Sequence, residues 1–222
     1  MARKINSRNR KPYIIIFWEG ESEQVYMKYM RKKFHMSANL TVHRVKGVFH
    51  TAQKAFNKKG IYFDVKSEVD EIWLVFDTED ELKGKWNEYY SIIKKLRKLN
   101  SQIKVRLLMT RGCIEYYFLL HYEKCAPAIH IPADKDKVIE LLKKQCPKYK
   151  KGDKESTDKI AELYKNAIDN CHWRMEKLRE ELSSIEQCDD RDYQLFVSDL
   201  TFSTVFEGIE YLEYLENTKV DR

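Results

Sequence analysis

Two uninterrupted apolar runs, each stopped by acidic residues, constrain this chain more than any other feature. Tyr13–Trp18 (YIIIFW) is followed at once by Glu19-Gly20, and Ile72–Phe76 (IWLVF) by Asp77-Thr78-Glu79-Asp80. Runs of aliphatic and aromatic residues without polar alternation suit strands covered on both faces, as in a parallel sheet between helix layers. A sheet with one wet face would show alternation instead.

What surrounds the runs agrees with that reading. Glu21–Phe34 sets Val25, Tyr26, Tyr29, Met30 and Phe34 at three- and four-residue spacing, with Lys28, Arg31, Lys32 and Lys33 between them, as an amphipathic helix requires. A second strand is expected at Leu40–Val45 and a helix around Thr51–Asn57, with an unassigned stretch to Asp70. A helix through about Trp86–Leu99, a strand at Ile103–Met109 and a helix after Arg111-Gly112, with Ile114, Tyr117, Phe118 and His121 in register, complete a βα alternation over residues 13–123. Such alternation predicts an α/β fold: a mostly parallel four-stranded sheet flanked by helices. Beyond Pro127 the pattern is helical only, at Asp134–Gln145, around Ser156–Ile185 and at about Ser203–Leu215, where Thr204 and Glu207 are spaced as a capping box. The expected organisation is a basic flexible N-terminus (1–12), an α/β domain (13–125) and a helical C-terminal region (126–222) packing on or extending it.

Charge is distributed unevenly. The 222 residues hold 41 Lys and Arg against 35 Asp and Glu, a net +6. The last 47, residues 176–222, hold 13 acids and 5 bases, which leaves +14 on the rest. That imbalance is compatible with a polyanionic partner, and charge alone does not distinguish nucleic acid from membrane phosphate or from plain solubility. No apolar stretch approaches a spanning helix or a signal-peptide core, which predicts a cytoplasmic protein with no membrane partner. The five cysteines are widely spaced and form no CxxC, so reduced thiols are expected rather than a disulfide framework or zinc knuckle.

In open α/β sheets ligands bind beyond the carboxyl ends of the strands. Glu19 ends the first strand, and Asp77, Glu79 and Asp80 end the third; if those strands are neighbours the carboxylates converge, and clustered carboxylate oxygens suit a hard divalent cation such as Mg²⁺. The competing reading is a set of solvated loop acids. Glu23, one turn after Glu19, either faces the same pocket or compensates a helix dipole, and Glu115, after strand four, is either a further ligand or a helix-start acid. Arg111 is placed to bind a phosphate or to be solvated. His121 sits on an apolar helix where a hydrogen-bonded core role competes with nucleic-acid binding. Lys143, Lys144, Lys148, Lys150, Lys151 and Lys154, with Tyr149 among them, form the densest basic run, either a track for a nucleic-acid backbone with an aromatic to stack on a base or a solvated face.

Taken together, strand–Glu19-Gly20–helix and strand–Asp77-x-Glu79 resemble the Toprim domain of topoisomerases, primases and several nucleases, in which a glutamate ends the first strand and a DxD pair the third. More narrowly, EGESEQVYMKYM (Glu19–Met30), VFDTED (Val75–Asp80) and IEYYFLLHYE (Ile114–Glu123), in that order, resemble RloB-like proteins of bacterial abortive-infection and antiviral systems. A Tyr-x-Lys such as Tyr149–Lys151 follows in that family. The second acid of the pair is Glu79 here, with Asp80 adjacent, so either one completes the site. The resemblance implies a Toprim-like fold and a Mg²⁺-dependent endonuclease (Mn²⁺ an acceptable substitute) acting on DNA or RNA, tRNA among the candidates. Glu19 would be a metal ligand or general base, and Asp77 with Glu79 or Asp80 would hold the metal. Glu23 and Glu115 would be further catalytic carboxylates, and Arg111, His121, Lys148, Lys150 and Lys151 would contact the nucleic acid. An AAA- or ABC-type ATPase partner is implied, and homo-oligomerisation is compatible with it. The alternative is a non-catalytic module binding nucleic acid or the ATPase. A nucleotide-binding protein is disfavoured because no Gly-rich phosphate loop is present.

Overall fold

The computed structural model describes residues 10–220, and its four strands fall on the apolar runs: β1 (Tyr13–Trp18), β2 (Asn39–Arg44), β3 (Glu71–Thr78) and β4 (Lys104–Arg111). They form one sheet in the order β2-β1-β3-β4 with every pairing parallel. Ile14 through Trp18 are at most 1% exposed, so both faces of β1 are covered, which is why no polar residue interrupts the run.

Helices supply that cover: α1 (Glu21–Lys33), α2 (Val48–Phe56), α3 (Trp86–Leu96), α4 (Ile114–Leu119), α5 (Pro132–Gln145), α6 (Lys154–Glu162), α7 (Tyr164–Lys177), α8 (Asp189–Val197) and α9 (Val205–Val220). Phe49 of α2 packs edge-on against Phe76, with ring centroids 4.8 Å apart. Gly208 of α9 lies against Trp73 and Leu108, which point to the other side of the sheet from Phe76. A Cβ on Gly208 would stand 2.8 Å from Leu108 Cδ1 and 2.9 Å from Trp73, so glycine lets α9 approach the sheet closely. One apolar core runs without interruption from Ile14 to Leu212.

Several expectations are corrected. The long helix expected around 156–185 is two helices, α6 and α7, separated at Leu163, and α7 stops at Lys177. Helix α8 was not expected at all; its buried face is Arg191, Asp192, Leu195 and Phe196, half of it charged. Thr204 and Glu207 do not form a capping box. Thr204 Oγ1 instead accepts the Met109 N–H of β4 at 2.8 Å, and Glu207 pairs with the fully buried Arg191.

Around Thr204 the chain lies alongside the outer edge of β4. Phe202 O accepts Arg111 N–H at 3.0 Å and Met109 O accepts Thr204 N–H at 2.8 Å, bracketing an antiparallel bridge between Thr110 and Ser203. Of the N-terminal basic stretch expected to be flexible, residues 1–9 lie outside the described residues. Arg10 grips Asp70 with both carboxylate oxygens at 2.9 Å, and Lys11 donates to His35 O at 2.9 Å, so that part is held against the body. All five cysteines are free thiols. No helix among the described residues is long and apolar enough to cross a membrane.

Candidate functional site

The strand order places β2 on one side of β1 and β3 on the other, so the chain reverses direction across the sheet between β1 and β3. A crevice opens beyond the carboxyl ends of such a pair. Glu19 follows β1 and Asp77 lies near the end of β3, and both line one small cavity of about 80 Å³ with Gly47, Val48, Phe76 and Leu82. Glu19 Oε1 accepts the N–H groups of Gly47 (3.1 Å) and Val48 (3.3 Å) at the start of α2. Gly47 has φ +65°, a left-handed conformation that glycine adopts freely, and this turn aims the helix N-terminus at the glutamate.

Behind this pair stands a ring of carboxylates. Asp77 is pushed well above the usual carboxylate range, first by burial and then by Glu23 and Glu115; Lys135 opposes the shift and Glu79 adds to it. Glu23 is 8% exposed and is pushed up to about 7, mainly by burial. Its own backbone N–H and Lys151 act against the shift, while Glu115 and Glu19 reinforce it. Its Oε2 is buried without a hydrogen-bond partner. Glu23, Glu79 and Glu115 thus act by charge on Asp77, and Glu19 and Glu115 on Glu23, with Lys135 and Lys151 the opposite charges.

Glu115 is 1% exposed and accepts a 2.9 Å hydrogen bond from Tyr149 OH. The same hydroxyl lies 3.1 Å from Ser22 Oγ, which in turn accepts the Gly152 N–H at 3.0 Å. Tyr149 is buried, so it offers no face for stacking on a base; it fixes the 149–152 loop to the first turn of α1 and holds Glu115 in place. Neither this role nor that of Lys135, which pairs with Glu79, was found from sequence. A lone aromatic inside a lysine run was the available signal, and it was read as an exposed one.

The two acids offered as alternatives point to different partners. Glu79 is ion-paired with Lys135. Asp80 bonds Lys83 and Arg111, both at 2.9 Å, and those two cations hold it far below the usual carboxylate range. Asp80 is thus engaged by two cations and is not among the residues lining the cavity of Glu19 and Asp77. Arg111 is not at the solvent surface. It is 1% exposed, and it donates through Nε to Ile129 O (3.1 Å) and through Nη2 to Asp80 (2.9 Å) and Asp199 (3.1 Å). His121 is fully buried, bonded to Tyr26 OH (3.1 Å) and Tyr117 O (2.9 Å), and burial lowers its pKa to about 4. It is a neutral core residue and reaches no nucleic acid. Lys148, Lys150 and Lys151 are exposed beside the loop that carries Tyr149.

Among the described residues no three His, Cys, Asp or Glu side chains stand close enough to hold an ion together. The donors are nevertheless all oxygen, and the like charges that add to burial in raising Asp77 and Glu23 are ones a divalent cation relieves. In kind and in charge they fit Mg²⁺, with side-chain rotation needed to close the shell.

A family model described as RloB-like protein matches residues 14–212 of the chain. No curated protein and no solved structure matches it.

Proposed function

The chain belongs to the RloB-like family, and on that premise we propose that it is a Mg²⁺-dependent nuclease of the Toprim type, hydrolysing phosphodiester bonds in DNA or RNA. One observation carries the proposal: Glu19 and Asp77 line one cavity at the crevice between β1 and β3, and Glu23 Oε2, one turn on from Glu19, is buried without a hydrogen-bond partner. Carboxylates so placed are costly when ionised, and a bound cation relieves that cost as protonation does. Asp77, Glu19 and Glu79 would hold the metal, Glu79 leaving its ion pair with Lys135 to do so. Mg²⁺ bound there supplies charge neutralisation at the scissile phosphate and an acidified water. Glu115, fixed by Tyr149, and Glu23 complete the carboxylate ring. The exposed Lys148, Lys150 and Lys151 attract the phosphate backbone. The setting is anti-phage defence, with an AAA- or ABC-type ATPase restraining or delivering the activity.

A cleavage assay on DNA, tRNA and other RNA, with Mg²⁺ or Mn²⁺ and with the ATPase present, tests this reading. Wild type cleaves one substrate class, and Asp77→Asn is slower by ~100-fold or more, in line with the loss of a group that stabilises transition-state charge. Equal rates for the two proteins overturn the site. The pairing of Glu79 with Lys135 and of Asp80 with Arg111 favours a second reading, a non-catalytic binding module. It predicts salt-sensitive nucleic-acid binding, unchanged in Asp77→Asn, and no cleavage by either protein.

A further inference from the structure

Helices α1 and α6 lie side by side and run in the same direction. Gly152, just before α6, donates its N–H to Ser22 Oγ in the first turn of α1 at 3.0 Å, and beyond the opposite ends Tyr164 packs edge-on against Phe34, with ring centroids 5.8 Å apart. Both helices therefore start at the carboxyl edge of the sheet, where Glu19 stands just before α1, and lead away from it. Between them is a groove of about 630 Å³, several times the size of the cavity shared by Glu19 and Asp77.

Four lysines line this groove, Lys28, Lys32 and Lys33 from α1 and Lys154 from α6, against two acids, Asp158 and Glu162. Asp158 is already paired with Lys154, and Glu162 is the last residue of α6, at the end farther from the crevice. Lys28 and Lys32 are exposed, and among the described residues neither has an ion-pair or hydrogen-bond partner. They stand four residues apart on one helix face, about 6 Å from each other, a like-charge pair that weakens a helix and that a bound polyanion relieves. Tyr29 lies on the same face, half-buried and without a ring contact to another aromatic among the described residues. Lysines flanking an available aromatic suit a single strand, whose backbone follows the positive groove while an unpaired base stacks on the ring. The bases of a duplex are turned inward, out of reach of Tyr29.

We propose that the groove between α1 and α6 is a track for single-stranded nucleic acid, with Lys28 and Lys32 on separate phosphates and Tyr29 against a base. The track leads to the crevice, because α1 begins at Glu19. Positive charge continues at that end through Lys154 and through Lys151, which is near enough for its charge to act on Glu23. A strand lying in the groove is thereby delivered to the carboxylates from one side. That the strand is then cleaved rests on the nuclease reading; its binding in the groove does not.

Binding is measured without divalent metal on the full chain, so that it stands apart from cleavage. The probe is one oligonucleotide of fixed sequence, single-stranded or annealed to its complement, over a range of salt concentrations. Wild type is expected to bind the single strand about 10-fold tighter than the duplex. Lys28→Ala/Lys32→Ala is expected to weaken single-strand binding about 10-fold and to flatten the slope of log Kd against log salt by about 1.4, two phosphate contacts at roughly 0.7 each. Lys58→Ala/Lys59→Ala removes the same charge from exposed positions after α2, outside the groove, and is expected to bind as wild type does. Tyr29→Leu is expected to weaken single-strand binding about 5-fold or more with the slope unchanged. Melting temperatures close to that of wild type confirm that each variant is folded. Equal losses in the two lysine pairs, or wild-type binding by Lys28→Ala/Lys32→Ala, overturn the proposal. A duplex bound as tightly as the single strand, with Tyr29→Leu unaffected, overturns the single strand as the occupant. The nuclease reading fails separately, through equal cleavage by wild type and Asp77→Asn.

Discussion

The carboxylate of Glu23 stands where a methyl group on Gly20 would be: Glu23 Oε2 lies 1.9 Å from that position and Cδ 2.4 Å. Gly20 has φ −89°, a conformation open to any residue, so its importance is the space it leaves. Gly20→Ala is expected to fold and to melt close to wild type, because the displaced atoms are the end of a flexible side chain. It drives Glu23 out of the ring, and cleavage falls by ~10-fold or more from misplacement alone. Cleavage by Gly20→Ala equal to wild type would show that the Glu23 position is immaterial.

Glu23 also makes stability depend on pH. Its folded pKa of about 7 lies above the ordinary value of 4.5, so between those values the folded chain holds a proton that the unfolded chain has released. Stability from this group is present below pH 4.5 and lost as pH rises to 7, by up to ~3 kcal/mol. His121, lowered to about 4, acts in the opposite sense: its contribution is full above 6.5 and lost as pH falls to 4. Glu23→Gln removes only the first effect. Its melting temperature should equal that of wild type near pH 4 and exceed it above pH 7; parallel curves from pH 4 to 8 would show that Glu23 keeps an ordinary pKa.

Cation binding should relieve the same repulsion. At pH 8, millimolar Mg²⁺ is expected to raise the wild-type melting temperature, since a ligand bound only by the folded state stabilises it. Asp77→Asn should show little rise. Equal shifts in both proteins place the ion away from Asp77.

Tyr149→Phe separates stacking from hydrogen bonding, because phenylalanine keeps the ring and loses the hydroxyl. Glu115 is left buried without its donor, at a cost of ~1–3 kcal/mol in urea unfolding, and cleavage declines with it. A fully stable and active Tyr149→Phe would mean that the bonds to Glu115 and Ser22 are dispensable.

Arg191 pairs with its neighbour Asp192 on α8 (2.8 Å) and joins α8 to α9 through Glu207, and its side chain is fully buried. Arg191→Met leaves two carboxylates in the interior without a cation, and is expected to cost ~3–5 kcal/mol. Replacing Asp192 and Glu207 with apolar residues as well should recover much of the loss. An Arg191→Met variant with wild-type urea unfolding would contradict this account.

How far the sequence could be read depended on what each element buries. Ile14–Trp18 and Ile72–Phe76 were legible as strands because both faces are dry. The last turn of β3 was not, because Asp77 and Thr78 extend the ladder with polar side chains. The break at Leu163 was hidden because Thr157, Ile160, Ala161, Tyr164, Ala167, Ile168, Cys171 and Met175 keep one helical spacing across it. Helix α8 escaped notice because a buried ion pair replaces apolar residues on its inner face. In the candidate site, the strand ends were legible as positions. The directions of Asp80 and Arg111, and the inward turn of Tyr149, were set by partners 31 to 88 residues away that no local pattern encodes.

The strip from Phe202 to Thr204 that seals β4 bears on how the protein is made. Thr204 meets Met109 across 95 residues of chain. During synthesis the sheet can assemble as soon as β4 has emerged, yet its outer edge lacks this partner until the chain has been made as far as Thr204. For that interval a row of open N–H and C=O groups is available to other strands. The Phe202–Thr204 strip thus acts as a late closing clasp, and a ribosome stalled before Thr204 would carry a sheet primed for aggregation.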